Sequence, residues 1–228
     1  MSDIVIYGFP FSPYVRSVAL ALQIKDVPYR QHYIDLRPVE GGLGSAGHRA
    51  LHPFARVPIL EDDGFRIYET QAIVRYLDAK YPQPPLQPSE PQAIGRMSQM
   101  LGVLDCYLFS QGIRPVGAER VVRPALMGAT PDEALVAKAL GDIAVCISAL
   151  DQLVSGDRFL VGDTISLADI MLAPHLHLIS PVPEVRAMLK GTQLAAWLDR
   201  ILVHPAMVAT MPPAELRLPV RLIALEAA

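Results

Sequence analysis

Apolar residues recur along the chain at two different periods, and the change of period divides it. Up to residue 81, short runs from Ile4 to Tyr7, Tyr29 to Ile34, Val57 to Glu61 and Arg66 to Tyr68 read as strands, and helical spacing covers about Pro13 to Ile24 and Thr70 to Lys80. The order is β-α-β, a long irregular segment, then β-β-α, with Asp62-Asp63-Gly64 as the hairpin turn between the last two strands. From residue 93 onward the spacing is helical throughout. Met97, Met100, Leu101, Leu104 and Leu108 form one stripe, Leu135, Ala139, Ile143, Ile147 and Leu150 a second, and Leu194, Trp197, Leu198 and Ile201 a third that stops at His204-Pro205. Between the two regimes lie Pro82, Pro84, Pro85, Pro88 and Pro91, where neither a helix nor a central strand persists. The pattern therefore predicts an α+β domain over residues 1–81, a proline-rich linker over 82–92 and an all-helical domain over 93–228.

Two helix starts are written into the second domain. Thr130-Pro131-Asp132-Glu133 reads as a T-x-x-E capping box with proline at the first helical position. Ser166-Leu167-Ala168-Asp169 reads as an S-x-x-D cap, flanked by Ile165 and Ile170 as a hydrophobic staple. Gly41 to Gly47 is glycine-rich without the G-x-x-x-x-G-K-[ST] pattern of a phosphate cradle, and is expected to be a mobile loop.

Composition narrows the class. At 228 residues, 51% hydrophobic and 19% charged, the chain has enough apolar surface for one large core or two modest ones. A net charge of −3 supplies no broad cationic field for a nucleic-acid backbone or an anionic membrane. The two cysteines, Cys106 and Cys146, stand far apart and form no C-x-x-C pair, which fits a reducing compartment. No export signal and no apolar run of membrane-spanning length are legible, so a cytoplasmic protein is expected. His175 and His177, two apart on a helix, point in different directions and are read as structural, so no metal site is expected.

Chemistry concentrates in the first domain. Tyr7-Gly8-Phe9-Pro10-Phe11-Ser12-Pro13 leads from a strand into a helix with Ser12 as its N-cap, beside unpaired N–H groups that favour an anion. Pro58 gives no N–H to a ladder and marks a sheet edge, where Val57 has backbone groups to pair with an extended peptide. Glu69-Thr70 opens the next helix; its N–H groups suit a carboxylate and the Glu69 side chain an ammonium. Together these demands describe a small peptide with a free amino-acid head and a central thiol.

Ser12-Pro13-Tyr14-Val15-Arg16, Arg56-Val57-Pro58, Glu69-Thr70 and Ser166-Leu167-Ala168-Asp169, in that order, resemble the cytosolic glutathione transferases over essentially the whole chain. The similarity is greatest to serine-type enzymes, the plant phi-like and related bacterial forms with a Y-G-x-P-x-S-P opening and an N-P-F-G-x-V-P segment. The resemblance implies a thioredoxin-like first domain with cis Pro58, a homodimer, glutathione as co-substrate and a detoxifying transfer to a small hydrophobic electrophile. It also implies that Ser12 activates the thiol, that Val57 pairs with the glutathione cysteine, that Glu69 and Thr70 clamp the γ-glutamyl head, and that Arg56 meets the glycine end. Phe11, Tyr14 and Tyr107, with Phe109, are the candidate wall of the electrophile pocket. His52 and Ala55 replace the family's Asn and Gly, and the preceding loop lacks its lysine, which leaves His48, Arg49 or His52 as candidates for the glycine carboxylate.

Other readings stand beside this one. Tyr7 is a rival for the thiol. Thioredoxin-type redox chemistry requires a cysteine near position 12, where this chain has Ser12 and Val15. A glutathione-dependent isomerase of the maleylacetoacetate type lacks its Ser-Ser-Cys opening here. A noncatalytic carrier of the same fold has no need for Ser12, Glu69 and Thr70 at one edge.

Overall fold

The computed structural model of the chain describes residues 3–37, 39–124 and 128–212. Among the described residues, its contacts divide the chain into two units: the first runs to Pro85 and is joined by residues 204–212, and the second runs from Leu86 to Val203. The segment from His204 thus lies with the first unit rather than with the helical domain in which its sequence position put it, and residues 213–228 lie outside the described residues.

In the first unit, β1 (Ile4–Gly8), β2 (Arg30–Tyr33), β3 (Ile59–Asp62) and β4 (Phe65–Tyr68) form one sheet in the order β2-β1-β3-β4. β1 pairs parallel with β2 across the crossover helix α1 (Pro13–Ile24), antiparallel with β3, and β3 pairs antiparallel with β4. This is the thioredoxin-like arrangement the resemblance implied. The β3–β4 turn has both central residues left-handed, Asp63 at φ 49° and Gly64 at φ 87°, matching the type I′ geometry that suits the twist of a two-residue hairpin. Ile4, Ile6, Val18, Leu20, Leu22, Ile59, Leu60, Ile73, Val74 and Leu77 are the sealed core. Each such side chain contributes roughly 1.5–3 kcal/mol on burial.

Two details of the first unit depart from the sequence pattern. The third strand begins at Ile59 rather than Val57, because Pro58 has no N–H to donate to the ladder. The glycine-rich segment read as a loop runs into a short helix, α2 (Ala46–Leu51), capped by Ser45. Its few apolar residues give it no amphipathic stripe to read. After α3 (Thr70–Lys80), the chain is pinned by Lys25, whose ammonium is fully buried and donates to Asp78 (2.8 Å) and to the carbonyls of Tyr81 (2.6 Å) and Pro84 (2.8 Å).

The second unit is helical. α4 (Pro91–Val103) begins with proline at its first position, where no N–H is needed, and runs on through a π-helical stretch (Leu104–Ile113), α5 (Arg114–Gly117) and a second π-helical stretch (Ala118–Val122). Such widened turns are uncommon and cluster at functional sites. α6 (Glu133–Leu153), α7 (Leu167–Ile179), α8 (Pro183–Leu189) and α9 (Gln193–Leu202) complete the unit, while α10 (Pro205–Ala209) packs on α1 in the first. Met97, Met100, Leu101, Leu104 and Leu108 are all buried, as their spacing predicts.

The α6 start differs from the sequence expectation. Asp132, not Thr130, is the N-cap, accepting from the N–H groups of Ala134 and Leu135 at 3.1 Å, while Glu119 takes the N–H of Asp132. A carboxylate cap with its own backbone anchored prevails over the upstream threonine, and Leu135 is left exposed instead of heading its stripe. The cap at Ser166 forms as read. Asp169 is fully buried and accepts from the Ser166 N–H and hydroxyl (2.8 Å each), the Leu160 N–H (2.9 Å) and the Trp197 indole (2.8 Å).

Candidate functional site

The sheet register sets the site. Tyr7 is opposite Ile59 and Ile59 is opposite Tyr68, so the end of β1, the start of β3 and the end of β4 share one end of the sheet. The segments that leave there are Gly8 to Ser12, Val57-Pro58 and Glu69-Thr70. The close approach is made by Gly8, at φ 153°: a Cβ on it would lie 2.5 Å from Val15 Cγ2 and 3.3 Å from Val57 Cβ. A glycine is required for the first turn of α1 to sit against Val57. The three segments that the sequence assigned to one edge are therefore brought together by the topology.

Ser12 is the N-cap of α1, nearly buried, with extended backbone (φ −67°, ψ 125°). Its N–H donates to the Phe9 carbonyl at 3.1 Å and its carbonyl accepts from Arg16 at 3.0 Å. Its hydroxyl oxygen accepts from the Val15 N–H at 3.4 Å, a long bond that leaves the hydroxyl proton for another acceptor. Pro13 adds no donor, so the positive end of α1 is concentrated on this hydroxyl and the N–H groups after it. Tyr7, the rival, donates instead to Glu61 (3.5 Å) and leans on His32. Burial first, and the Glu61 charge second, push its phenol above the ordinary range, which opposes a role in stabilising a neighbouring anion.

Among the described residues no hydrogen bond engages the N–H or C=O of Val57. Val57 as a residue is half-exposed, ahead of the start of β3. Glu69 holds a left-handed backbone (φ 71°, ψ 113°) at the start of α3, and its side chain makes no cap to that helix. A non-glycine residue in this region is disfavoured and is concentrated at functional positions. Its carboxylate has no ion-pair or hydrogen-bond partner among the described residues, while Thr70 beside it is buried at the head of α3.

The loop before Val57 corrects the sequence reading of the glycine end. His48 is 2% exposed and both of its ring nitrogens are spent internally: Nδ1 accepts from the Gly44 N–H (3.0 Å) and Nε2 donates to the Arg56 carbonyl (3.0 Å). The Gly44 donor fixes that tautomer. Burial, with the nearby Arg49 charge, holds His48 below the ordinary imidazole range, against the pull of the Arg56 carbonyl. His52 is as deeply buried, against the Tyr68 ring, and burial depresses it too. His48 therefore has no ring nitrogen left for an incoming carboxylate, whereas the buried Nδ1 of His52 has no hydrogen-bond partner among the described residues. Arg56 is exposed, and Arg49 is exposed with its Nε on the Gly44 carbonyl (3.1 Å). Among the described residues of this loop, Arg49 and Arg56 are exposed cations.

The remaining candidates divide between the units. Phe11 stacks on Phe9 (4.7 Å, 29°) just ahead of α1, and Tyr14 is half-buried in its first turn. Tyr107, in the π-helical stretch of the second unit, is 54% exposed, whereas Phe109 meets His175 edge-on at 5.7 Å and is committed to that unit's packing. Arg16, quoted above only as part of a motif, proves to be a tether. It is buried, donates to the Thr210 carbonyl at 3.1 Å and lies on the sulfurs of Met207 and Met211, and burial lowers its guanidinium to about 10. A partner 194 residues away leaves no local signal. Among the described residues no group of three or more His, Cys, Asp or Glu is placed to hold a metal, and no helix is long and apolar enough to cross a membrane.

Comparison with known proteins places both units in one family. Residues 6–85 match the model of the glutathione S-transferase N-terminal domain, and residues 133–200 that of the C-terminal domain. The chain is 31% identical over 175 residues to glutathione S-transferase hmp2 of Hypomyces subiculosus, covering 75% of this chain and 80% of that one. It is 28% identical over 213 residues to glutathione S-transferase 3 of Zea mays, covering 92% and 94%. Among solved structures it is similar to glutathione S-transferase III in its apo form, with a TM-score of 0.79 at 28% identity, over 92% of this chain and 99% of that one.

Proposed function

As the chain belongs to the glutathione S-transferase family, we propose that it binds glutathione along the sheet end and transfers it, as a thiolate activated by Ser12, to a small hydrophobic electrophile. The observation that carries this reading is the nearly buried Ser12 hydroxyl, capping α1 through a long bond and retaining its proton for a donor role. The cysteinyl backbone of glutathione pairs with Val57 beside Pro58, Glu69 takes the ammonium of the γ-glutamyl head, the N–H groups at Thr70 take its carboxylate, and Arg56 or Arg49 meets the glycine end.

The chemistry required is modest. A free thiol has a pKa of about 8.5, so only a few per cent is thiolate at neutral pH. Lowering that value by about two units takes roughly 2.7 kcal/mol of extra stabilisation of the anion. One hydrogen bond to the charge and the start of a helix supply about that amount. The sulfur then attacks the electrophilic carbon, its leaving group departs with the electron pair, and the thiol proton is released to solvent. Phe11 and Tyr14, at the start of α1, are proposed to contact the electrophile. The phi-like, serine-type character, a homodimeric state and a cytoplasmic location belong to the same proposal, with free Cys106 and Cys146 consistent with a reducing compartment.

Conjugation of a generic aryl halide by wild type and Ser12→Ala tests the reading, with glutathione affinity measured by calorimetry. Retained affinity with turnover reduced about a hundredfold in the variant supports it. Turnover in Ser12→Ala equal to wild type, or no glutathione affinity in wild type, overturns it.

A further inference from the structure

His48 is not a ligand for the tripeptide, yet its two hydrogen bonds converge on the segment proposed to bind it. Ser45 caps α2 by accepting the His48 N–H (3.2 Å), and the His48 carbonyl accepts from His52 (2.9 Å). The His52 carbonyl accepts from Ala55 (2.9 Å), which turns the chain at φ 52° so that the next carbonyl, that of Arg56, returns to His48 Nε2. The other nitrogen holds Gly44, the last loop residue before the cap, itself at φ 81°. One buried imidazole therefore closes a circuit between the glycine-rich loop, α2 and the residue before Val57.

The direction of the held carbonyl matters. The cis bonds among the described residues are Val57–Pro58 and Gln83–Pro84, so the Arg56–Val57 peptide is trans. In a trans peptide plane the N–H points opposite to the C=O. Fixing the Arg56 carbonyl on His48 therefore aims the Val57 N–H away from α2, and no group of the described chain engages that N–H. We propose that His48 is a positioning residue for glutathione, acting through the Arg56–Val57 peptide to present the Val57 N–H to the cysteinyl carbonyl. The inference rests on the pairing of glutathione with Val57 put forward above. His48 does not touch the reacting atoms, so its loss weakens binding and spares the chemical step.

Three variants separate the two bonds. Glutamine reaches the Arg56 carbonyl as Nε2 does; asparagine is shorter and reaches only toward Gly44; phenylalanine fills the ring's space and makes neither bond. The expected results are that His48→Phe and His48→Asn raise the Kd and KM for glutathione about tenfold, with kcat at saturation and the KM for the aryl halide within about twofold of wild type. His48→Gln stays within about threefold of wild type. Amide hydrogen exchange supplies the structural readout, because bound glutathione slows exchange at Val57 in wild type and His48→Gln. The His48→Asn and His48→Gln pair decides the matter even where His48→Phe does not fold. Equal glutathione affinity in His48→Asn, His48→Gln and wild type, with Val57 still protected, overturns the role of His48 alone. Absence of glutathione protection at Val57 in wild type overturns the pairing on which it rests, and this inference with it.

Discussion

Replacing Asp169 isolates the contribution of one buried carboxylate. The side chain is fully buried and accepts four hydrogen bonds, two on each oxygen: Leu160 N–H and Trp197 Nε1–H on Oδ1, Ser166 N–H and Oγ–H on Oδ2. Burial pushes its carboxyl up, while those four donors pull the other way. Asp169→Ala leaves the donors unpaired in a dry interior. At roughly 1–3 kcal/mol for each unsatisfied group, with partial relaxation by the Ser166 rotor, a loss of about 4–5 kcal/mol follows, close to what breaking a buried charged network costs. Asp169→Asn keeps one acceptor oxygen for Leu160 and Trp197 but turns an NH2 toward the Ser166 N–H, so about half the loss, roughly 2–3 kcal/mol, is expected. Urea unfolding followed by fluorescence measures both, since Trp197 is the single tryptophan and reports on this network directly. The order wild type, Asn, Ala in midpoint at constant slope is the expected result. An Asn variant as unstable as Ala, or an Ala variant within 1 kcal/mol of wild type as read by the same assay, refutes the donor-by-donor reasoning.

Other outcomes follow from the first unit. Glu69→Gln removes the charge but not the backbone geometry, so calorimetry is expected to show glutathione binding about tenfold weaker with folding stability nearly unchanged. Gly8→Ala places a methyl 2.5 Å from Val15 Cγ2, and thermal unfolding is expected to show a loss of about 2–3 kcal/mol. Lys25→Met strips the cation from buried Asp78 and from two carbonyls; denaturant titration is expected to show a loss of about 3–5 kcal/mol. His48 has a depressed folded pKa, so the unfolded chain binds the extra proton first. Its contribution is present above the ordinary histidine pKa of about 6.5 and is lost as pH falls toward its folded value, and this acid-side slope is expected to shrink in His48→Gln.

Periodicity along the chain determined most of the architecture. The strand and helix order, the buried stripes of α4 and α9 and the Ser166 cap all rest on interactions within a few residues, which a local pattern records. Ser12 as an N-cap and Glu69-Thr70 as a helix start were legible for the same reason. Tertiary structure decided everything that depends on a distant partner. Arg16 meets Thr210, Lys25 closes on Asp78 and Pro84, and Asp169 adds Trp197 to its cap, none of which has a spacing to read. The sharpest case is His48. On the sequence it was one of several cations available to a carboxylate, whereas the fold buries it and spends both nitrogens on Gly44 and Arg56. Sequence names the donors and acceptors a residue carries; only the packed chain decides which of them remain for a ligand, because burial and pairing are properties of neighbours that the local pattern does not contain.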